Sequence, residues 1–204
     1  MSTKKAMLES LKNGNLIKNS NILKAFNKIK REDFLPDYLK DLAYADAPLP
    51  ISKTESMNQI STTLFFIDAL NLNSGHTVLE VGAGSGYSTA ILSEIVGKTG
   101  NVVSFELDKE LHEKAKKNLK KYSNVTLVLG NGLKGFPDKA PYDRAILFGA
   151  LEKNPEAIMN QLKVGGVLVY PKGSILQSLV RIKKLQKGLK SESLGEYRLS
   201  KLIN

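Results

Sequence analysis

The chain contains no cysteine among its 204 residues, which excludes disulfides and thiol nucleophiles. Histidine occurs only twice, as His76 and His112. His76 precedes the first strong strand pattern and His112 falls in a lysine-rich helical segment, so both are expected at the surface. No set of residues has the spacing of a metal centre. No apolar run approaches the roughly 18 residues of a membrane span. The opening Met1-Ser2-Thr3-Lys4-Lys5 is not followed by a long apolar stretch, as a secretory leader would be. There is no internal repeat and no low-complexity segment. The expectation is a cytoplasmic protein without metal and without a membrane partner.

Charge of one sign is in excess. Thirty basic and 20 acidic residues give a formal net charge of +10. Such a chain could attract nucleic acid, a membrane surface or acidic peptides. The lysines are dispersed, however. Lys114, Lys116, Lys117, Lys120 and Lys121 fall on one helical segment. Arg181, Lys183, Lys184, Lys187 and Lys190 fall on a late strand and its turn. These read as solvated faces, and the scarcity of interleaved aromatics argues against nucleic acid as a partner. The length supports one domain, 1–204, with a sizeable core.

Apolar periodicity predicts helices over 4–11 and 22–29, with Asn19, Ser20 or Asn21 as a cap for the second. Residues 36–54 hold Pro36, Pro48 and Pro50 and read as an irregular connection. A helical pattern resumes over 55–70. From Thr77 onward, strands alternate with helices expected at 86–97, 108–121 and 154–162. A fifth strand is expected at Val167–Tyr170, then strands at 179–185 and 194–202, these two close enough to pair antiparallel. The fold class is α/β: a doubly wound, mostly parallel seven-stranded sheet with an N-terminal helical extension. The extension and its connection occupy 1–54 and the α/β core 55–204.

The richest segment is Val78-Leu79-Glu80-Val81-Gly82-Ala83-Gly84-Ser85-Gly86-Tyr87. An apolar strand, an acid and three alternate glycines lead into the helical pattern of Ser88-Thr89-Ala90-Ile91-Leu92. A dinucleotide fingerprint places its third glycine three residues after the second, where this chain has Tyr87. The G-x-G-x-G spacing after an acid suits a loop around S-adenosylmethionine better. Glycines at such a turn can also serve tight packing alone.

Later strands add to the pattern. Asn101–Phe105 is followed by Glu106, an acid able to accept two hydrogen bonds from ribose hydroxyls. Val125–Leu129 is followed by Gly130-Asn131-Gly132, suited to an adenine edge or, taken singly, to a turn or cap. Asp143–Phe148 is followed by Gly149-Ala150. In an open parallel sheet, ligands bind at these carboxyl ends. The cofactor-binding set read from the loop and strand ends is therefore Glu80, Gly82, Ala83, Gly84, Glu106, Leu107, Asn131 and Gly132.

Over nearly its whole length the chain resembles protein-L-isoaspartate O-methyltransferases, which are class I S-adenosylmethionine-dependent enzymes. The resemblance rests on Leu79–Tyr87, Gly130–Gly132, Ala140-Pro141-Tyr142-Asp143 and Asn160–Gly173, with Gln177 and Leu179 after them. It implies a Rossmann-like methyltransferase sheet and methyl transfer to the carboxylate of isoaspartyl residues in damaged proteins or peptides. The ester would then collapse to a succinimide that reopens partly to aspartate. The glycine loop would hold the methionine portion of the cofactor.

Three positions depart from the family pattern. Where the family has a Thr-Ile-Ser-Gln-Pro-like motif with an active-site serine, this chain reads Ser56-Met57-Asn58-Gln59-Ile60. Ungapped, Asn58 takes the serine's place as the candidate catalytic residue. A gapped match would assign Ser61 instead. The Gly-Asp-Gly of the family is Gly130-Asn131-Gly132, and its Pro-Leu ending of the last strand is Ser200-Lys201-Leu202. These departures leave two other readings: a methyltransferase of this fold acting on RNA or a small acid, and a cofactor-binding protein without catalysis.

Overall fold

A computed structural model describes residues 3–202. Helix α1, Lys4–Asn13, starts where the Thr3 hydroxyl accepts from the Ala6 amide. It buries Met7 and Leu11, one helical turn apart. Helix α2, Ser20–Lys28, is capped by the Asn19 side chain and buries Ile22, Ala25 and Phe26. The Asp68 carboxylate accepts from the amides of Lys18 and Asn19, which ties this extension to the core.

The connection that follows is more regular than proline content predicts. It holds two 3-10 segments, Arg31–Phe34 and Asp37–Leu42. Strand β1, Leu49–Pro50, then pairs antiparallel with β2, Ser56–Met57. This pairing corrects the helix expected over 55–70. Residues 56–57 are held in a ladder, so helix α3 spans only Ile60–Ala69.

Seven strands form the sheet: β3 Thr77–Val81, β4 Asn101–Glu106, β5 Val125–Leu129, β6 Tyr142–Leu147, β7 Leu162–Gly173, β8 Gln177–Lys184 and β9 Leu189–Tyr197. Their order is β5-β4-β3-β6-β7-β8-β9. The pairs from β5 to β7 are parallel, and β7-β8 and β8-β9 are antiparallel. Helices α4, Tyr87–Val96, and α5, Lys109–Asn118, follow β3 and β4; α6, Glu156–Asn160, precedes β7. Lys120 and Lys121 thus lie beyond α5, but both are exposed.

The last strand is displaced from its expected place at 194–202. Gly188 takes a φ of 79°, closes the turn, and lets pairing begin at Leu189. Residues 200–202 leave the ladder and run beside the end of β6. The Ala150 amide donates to the Ser200 carbonyl, and the Leu202 amide to the Ala150 carbonyl. Strand β9 is an exposed edge over most of its length.

The two sides of the sheet bury separate apolar clusters. One gathers Phe26, Ile60, Leu64, Ile67, Ile91 and Val169, so the N-terminal helices share a core with the sheet. The other gathers Leu79, Val103, Leu147, Ile158, Leu168 and Tyr170. Neither histidine is openly exposed. His76 accepts at Nδ1 from the Asn73 amide, and the His112 side chain is only 12% exposed. Among the described residues, no helix is long and apolar enough to cross a membrane, and no His, Asp and Glu group has a metal-binding arrangement.

Candidate active site

The carboxyl ends of β3, β4, β5 and β6 open onto one cavity. The loop after β3 forms its floor. Gly84 has a φ of 57°, and a Cβ there would stand 3.1 Å from the Ile51 side chain. A side chain at this point would be strained and crowded, so glycine keeps the backbone open to a ligand. Gly132 is crowded from the other side: a Cβ would lie 2.8 Å from both Phe105 and Val81. Helix α4 begins directly after Gly86, so its unpaired amides and dipole point back toward the loop.

Glu106 ends β4 and is 7% exposed. One carboxylate oxygen accepts from the Gly84 amide at 2.6 Å and the other from the Asp108 amide at 2.9 Å. The acid therefore braces the glycine loop while facing the cavity. Burial pushes its pKa up, and the amides of Asp108, Gly84 and Leu107 oppose that shift by stabilising the charged form. Glu55 on the opposite wall is also pushed up, first by burial and then by the charges of Glu106 and Asp108. Three acids, Glu55, Glu106 and Asp108, thus line the cavity. Their combined field suits a cationic ligand.

Of the cofactor residues read from the sequence, Gly82, Ala83, Gly84, Glu106, Leu107, Asn131 and Gly132 line this cavity. Glu80 does not. It is fully buried beneath the loop and accepts from Ser88 Oγ and Thr89 Oγ1, each at 2.5 Å, and from Ser104 Oγ at 2.6 Å. Its carboxylate anchors the start of α4 to β3 and β4 from below. Burial raises its pKa, and the three hydroxyl donors pull it back. Asn131 has a double placement. Its side-chain oxygen caps the 3-10 turn Gly132–Lys134 by accepting from the Leu133 amide, while the residue borders the cavity.

Asn58 borders the cavity from the side of β2. It does not cap α3, whose N-cap is Gln59 and lacks a side-chain capping bond. Ser61 is not among the lining residues. Its amide donates to Asp46 of the N-terminal connection and its hydroxyl accepts from Gln59 Nε2, so both groups are already engaged.

Some residues at the site were not apparent from pattern. Ser85 Oγ and Tyr87 OH are buried, have no hydrogen-bond partner among the described residues, and belong to cavity-lining residues. Arg31, from the first 3-10 segment, is fully buried and donates to the Asn58 carbonyl. An isolated arginine in a polar stretch carries no sequence signal for burial. Thr63 of α3 and Leu202 complete opposite walls, brought in by the β1-β2 ladder and by the 200–202 segment.

Comparison with known proteins places this geometry. Residues 2–198 match the family model for protein-L-isoaspartate(D-aspartate) O-methyltransferase. A protein-L-isoaspartate O-methyltransferase of Methanococcus aeolicus is 39% identical over 200 residues, covering 97% of this chain and 93% of the relative. One from Methanosarcina mazei is 44% identical over 165 residues, covering 80% of this chain and 68% of the relative. A solved protein-L-isoaspartate O-methyltransferase superposes with a TM-score of 0.91 at 31% identity. That likeness covers 99% of this chain, which spans 66% of the solved chain's length. A Plasmodium falciparum structure in complex with S-adenosyl-L-homocysteine shares the fold, with a TM-score of 0.86 at 21% identity over 100% of this chain and 99% of its own.

Proposed function

The chain belongs to the protein-L-isoaspartate(D-aspartate) O-methyltransferase family, and from that premise we propose that it methylates the free carboxylate of L-isoaspartyl residues in damaged proteins, with S-adenosylmethionine as donor. One observation carries the reading above the others. Seven residues expected to hold the donor, contributed by three strand ends, line one cavity whose opposite wall contains Asn58.

The residues present fit that donor. The glycine loop lets backbone amides approach the methionine portion. Glu106 faces the cavity with spare lone pairs for ribose hydroxyls, beyond those given to Gly84 and Asp108. The acids Glu55, Glu106 and Asp108 favour a bound sulfonium and ammonium over a neutral or anionic ligand. When bound, the donor supplies an activated methyl group with a neutral leaving group.

The protein's remaining task is positioning. A carboxylate with a reference pKa of about 4 is already ionised at neutral pH, so the reaction needs no general base. The lining is consistent with this, since neither histidine belongs to it. Asn58 stands where an amide NH2 can donate to one acceptor oxygen while the other attacks in line. The acidic lining disfavours a polyanionic acceptor such as RNA.

Labelled S-adenosylmethionine with an isoaspartyl peptide, and the same peptide carrying normal aspartate, tests the proposal. Label transfer to the first alone is expected. Tight cofactor binding without transfer to the isoaspartyl peptide would leave a cofactor-binding homologue instead.

A further inference from the structure

We propose that Lys201 is a specificity-determining residue that captures the anionic acceptor, exchanging Glu152 for the isoaspartyl carboxylate. The inference rests on the function proposed above and adds a recognition element to it. Lys201 is the only basic residue among the described residues lining the donor cavity, which it shares with three acids. Those acids favour a cationic donor and by the same field repel a carboxylate acceptor. A cation on the acceptor's side would offset that repulsion.

Lys201 is seated for that role. The bonds between Ala150 and residues 200 and 202 hold its backbone against the end of β6. A Cβ at Gly149 would come within 2.6 Å of the Leu202 side chain, so this segment sits directly on the loop after β6. From there Lys201 also borders a second hollow, whose lining includes Leu133, Leu151, Glu152, Lys153, Pro155 and Leu202. The two hollows share Leu133, Lys201 and Leu202, so the lysine stands at the passage between them. Its ammonium pairs with Glu152 at 2.9 Å, and both side chains are more than half exposed. Exposed pairs of this kind are weak and open readily. Glu152 therefore parks the lysine until a carboxylate displaces it.

The chemistry sets where this cation acts. In transfer, a carboxylate oxygen forms a bond to the methyl carbon, the carbon–sulfur bond breaks, and its electron pair stays on sulfur. Both the negative acceptor and the positive donor become neutral. The attraction to Lys201 is full in the bound acceptor and fades toward the transition state. It therefore lowers KM and adds nothing to kcat. After transfer, the neutral ester no longer competes with Glu152, which favours release.

The test uses an isoaspartyl peptide with blocked ends and otherwise neutral side chains, at saturating S-adenosylmethionine. Lys201→Met is expected to raise the peptide KM by about tenfold without a matching fall in kcat, as for loss of one charged contact. Lys201→Arg should restore the KM. Lys201→Glu should raise it further. Glu152→Gln, which frees the lysine, should lower it. The double change Lys201→Met with Glu152→Gln should keep the raised value, which separates capture from mere exposure of Glu152. Added salt should raise the wild-type KM relative to that of Lys201→Met. Lys187→Met, in the β8-β9 turn at the opposite end of the sheet, controls for net charge. An unchanged KM in Lys201→Met overturns the inference, as does a fall in kcat alone or a proportional loss of S-adenosylhomocysteine affinity. No turnover by the wild type on this peptide would sink the proposed function itself, and the capture role with it.

Discussion

Arg31 Nη2 donates to the carbonyl of Asn58 at 2.8 Å, across 27 positions of sequence. The same guanidinium donates through Nη1 to the Ala43 carbonyl at 2.7 Å, and its Nε lies 3.2 Å from Met57 Sδ. Its plane also stands 5.7 Å from the Tyr87 ring. One buried cation thus links the N-terminal connection, the β1-β2 ladder and the first residue of α4. Burial lowers its pKa from the usual arginine range, with nearby Tyr87 and Asp46 opposing the shift.

Replacing Arg31 with Met should leave at least the carbonyls of Ala43 and Asn58 unpaired. Each buried orphan costs about 1–3 kcal/mol. At about 2–4 °C per kcal/mol for a chain of this size, the melting temperature should fall by about 4–24 °C. Arg31→Lys should recover part of that, because one ammonium cannot reproduce the fork. Thermal unfolding of the three proteins checks it, and an unchanged midpoint in the Met variant would rule out the tie.

Glu106→Ala should weaken binding of S-adenosylhomocysteine by about tenfold or more, equivalent to about 1.5–3 kcal/mol for a contact to a charged group. Two causes act together: the ribose acceptor is lost, and the Gly84 amide loses its brace. Glu106→Gln keeps one oxygen and should fall between the two. Calorimetry measures all three, and equal affinity in wild type and the alanine variant would remove Glu106 from the binding set.

Asn58→Leu removes a donor at similar volume. It should lower kcat/KM on an isoaspartyl peptide by about tenfold or more, while cofactor affinity and melting temperature stay near wild type. Stability should hold because the residue's observed tie is its backbone carbonyl, which Leu retains. Asn58→Ser should keep or raise activity. A fully active Asn58→Leu enzyme would exclude the side chain from the chemistry.

Glu80 carries the pH dependence. Its folded pKa is raised by burial. The folded state then holds a proton over a window in which the unfolded chain has lost it. Stability from this group is fully present below the unfolded value of about 4.3 and is lost as pH rises through the folded value. Glu80→Gln cannot titrate. The stability of wild type relative to this variant should therefore increase as pH falls from 7 toward 5. Denaturant unfolding at several pH values checks the slope, and a difference that is flat or of opposite sign would show that the three hydroxyls overcome burial.

Much of this arrangement was legible beforehand. Helix α4 was expected at 86–97 and spans Tyr87–Val96, because glycines mark both ends of an apolar run. The strand ends that meet at the cavity were legible for the same reason. Apolar runs stop there and small or polar residues follow. Segments 55–59 and 189–193 were misassigned because their structure comes from pairing. Ser56-Met57 has no strand pattern of its own and is extended only because Leu49-Pro50 lies beside it. Glu80 was read with the cavity set because strand alternation does not say which side of a loop an acid will face. Three hydroxyls from α4 and β4 settle that in the fold.

The outer edge of the sheet has a bearing on how a damaged chain reaches the enzyme. Strand β9 presents Lys190, Glu192 and Glu196 along an exposed edge interrupted by Gly195. Charges and a glycine there discourage a guest strand from joining the sheet. A guest that did so would also be misplaced, since β8 and β7 still separate β9 from β6, at about 4.8 Å per strand spacing. This edge is thereby guarded against a loosened polypeptide, while β5, Val125-Thr126-Leu127-Val128-Leu129 without a charge, forms the other edge.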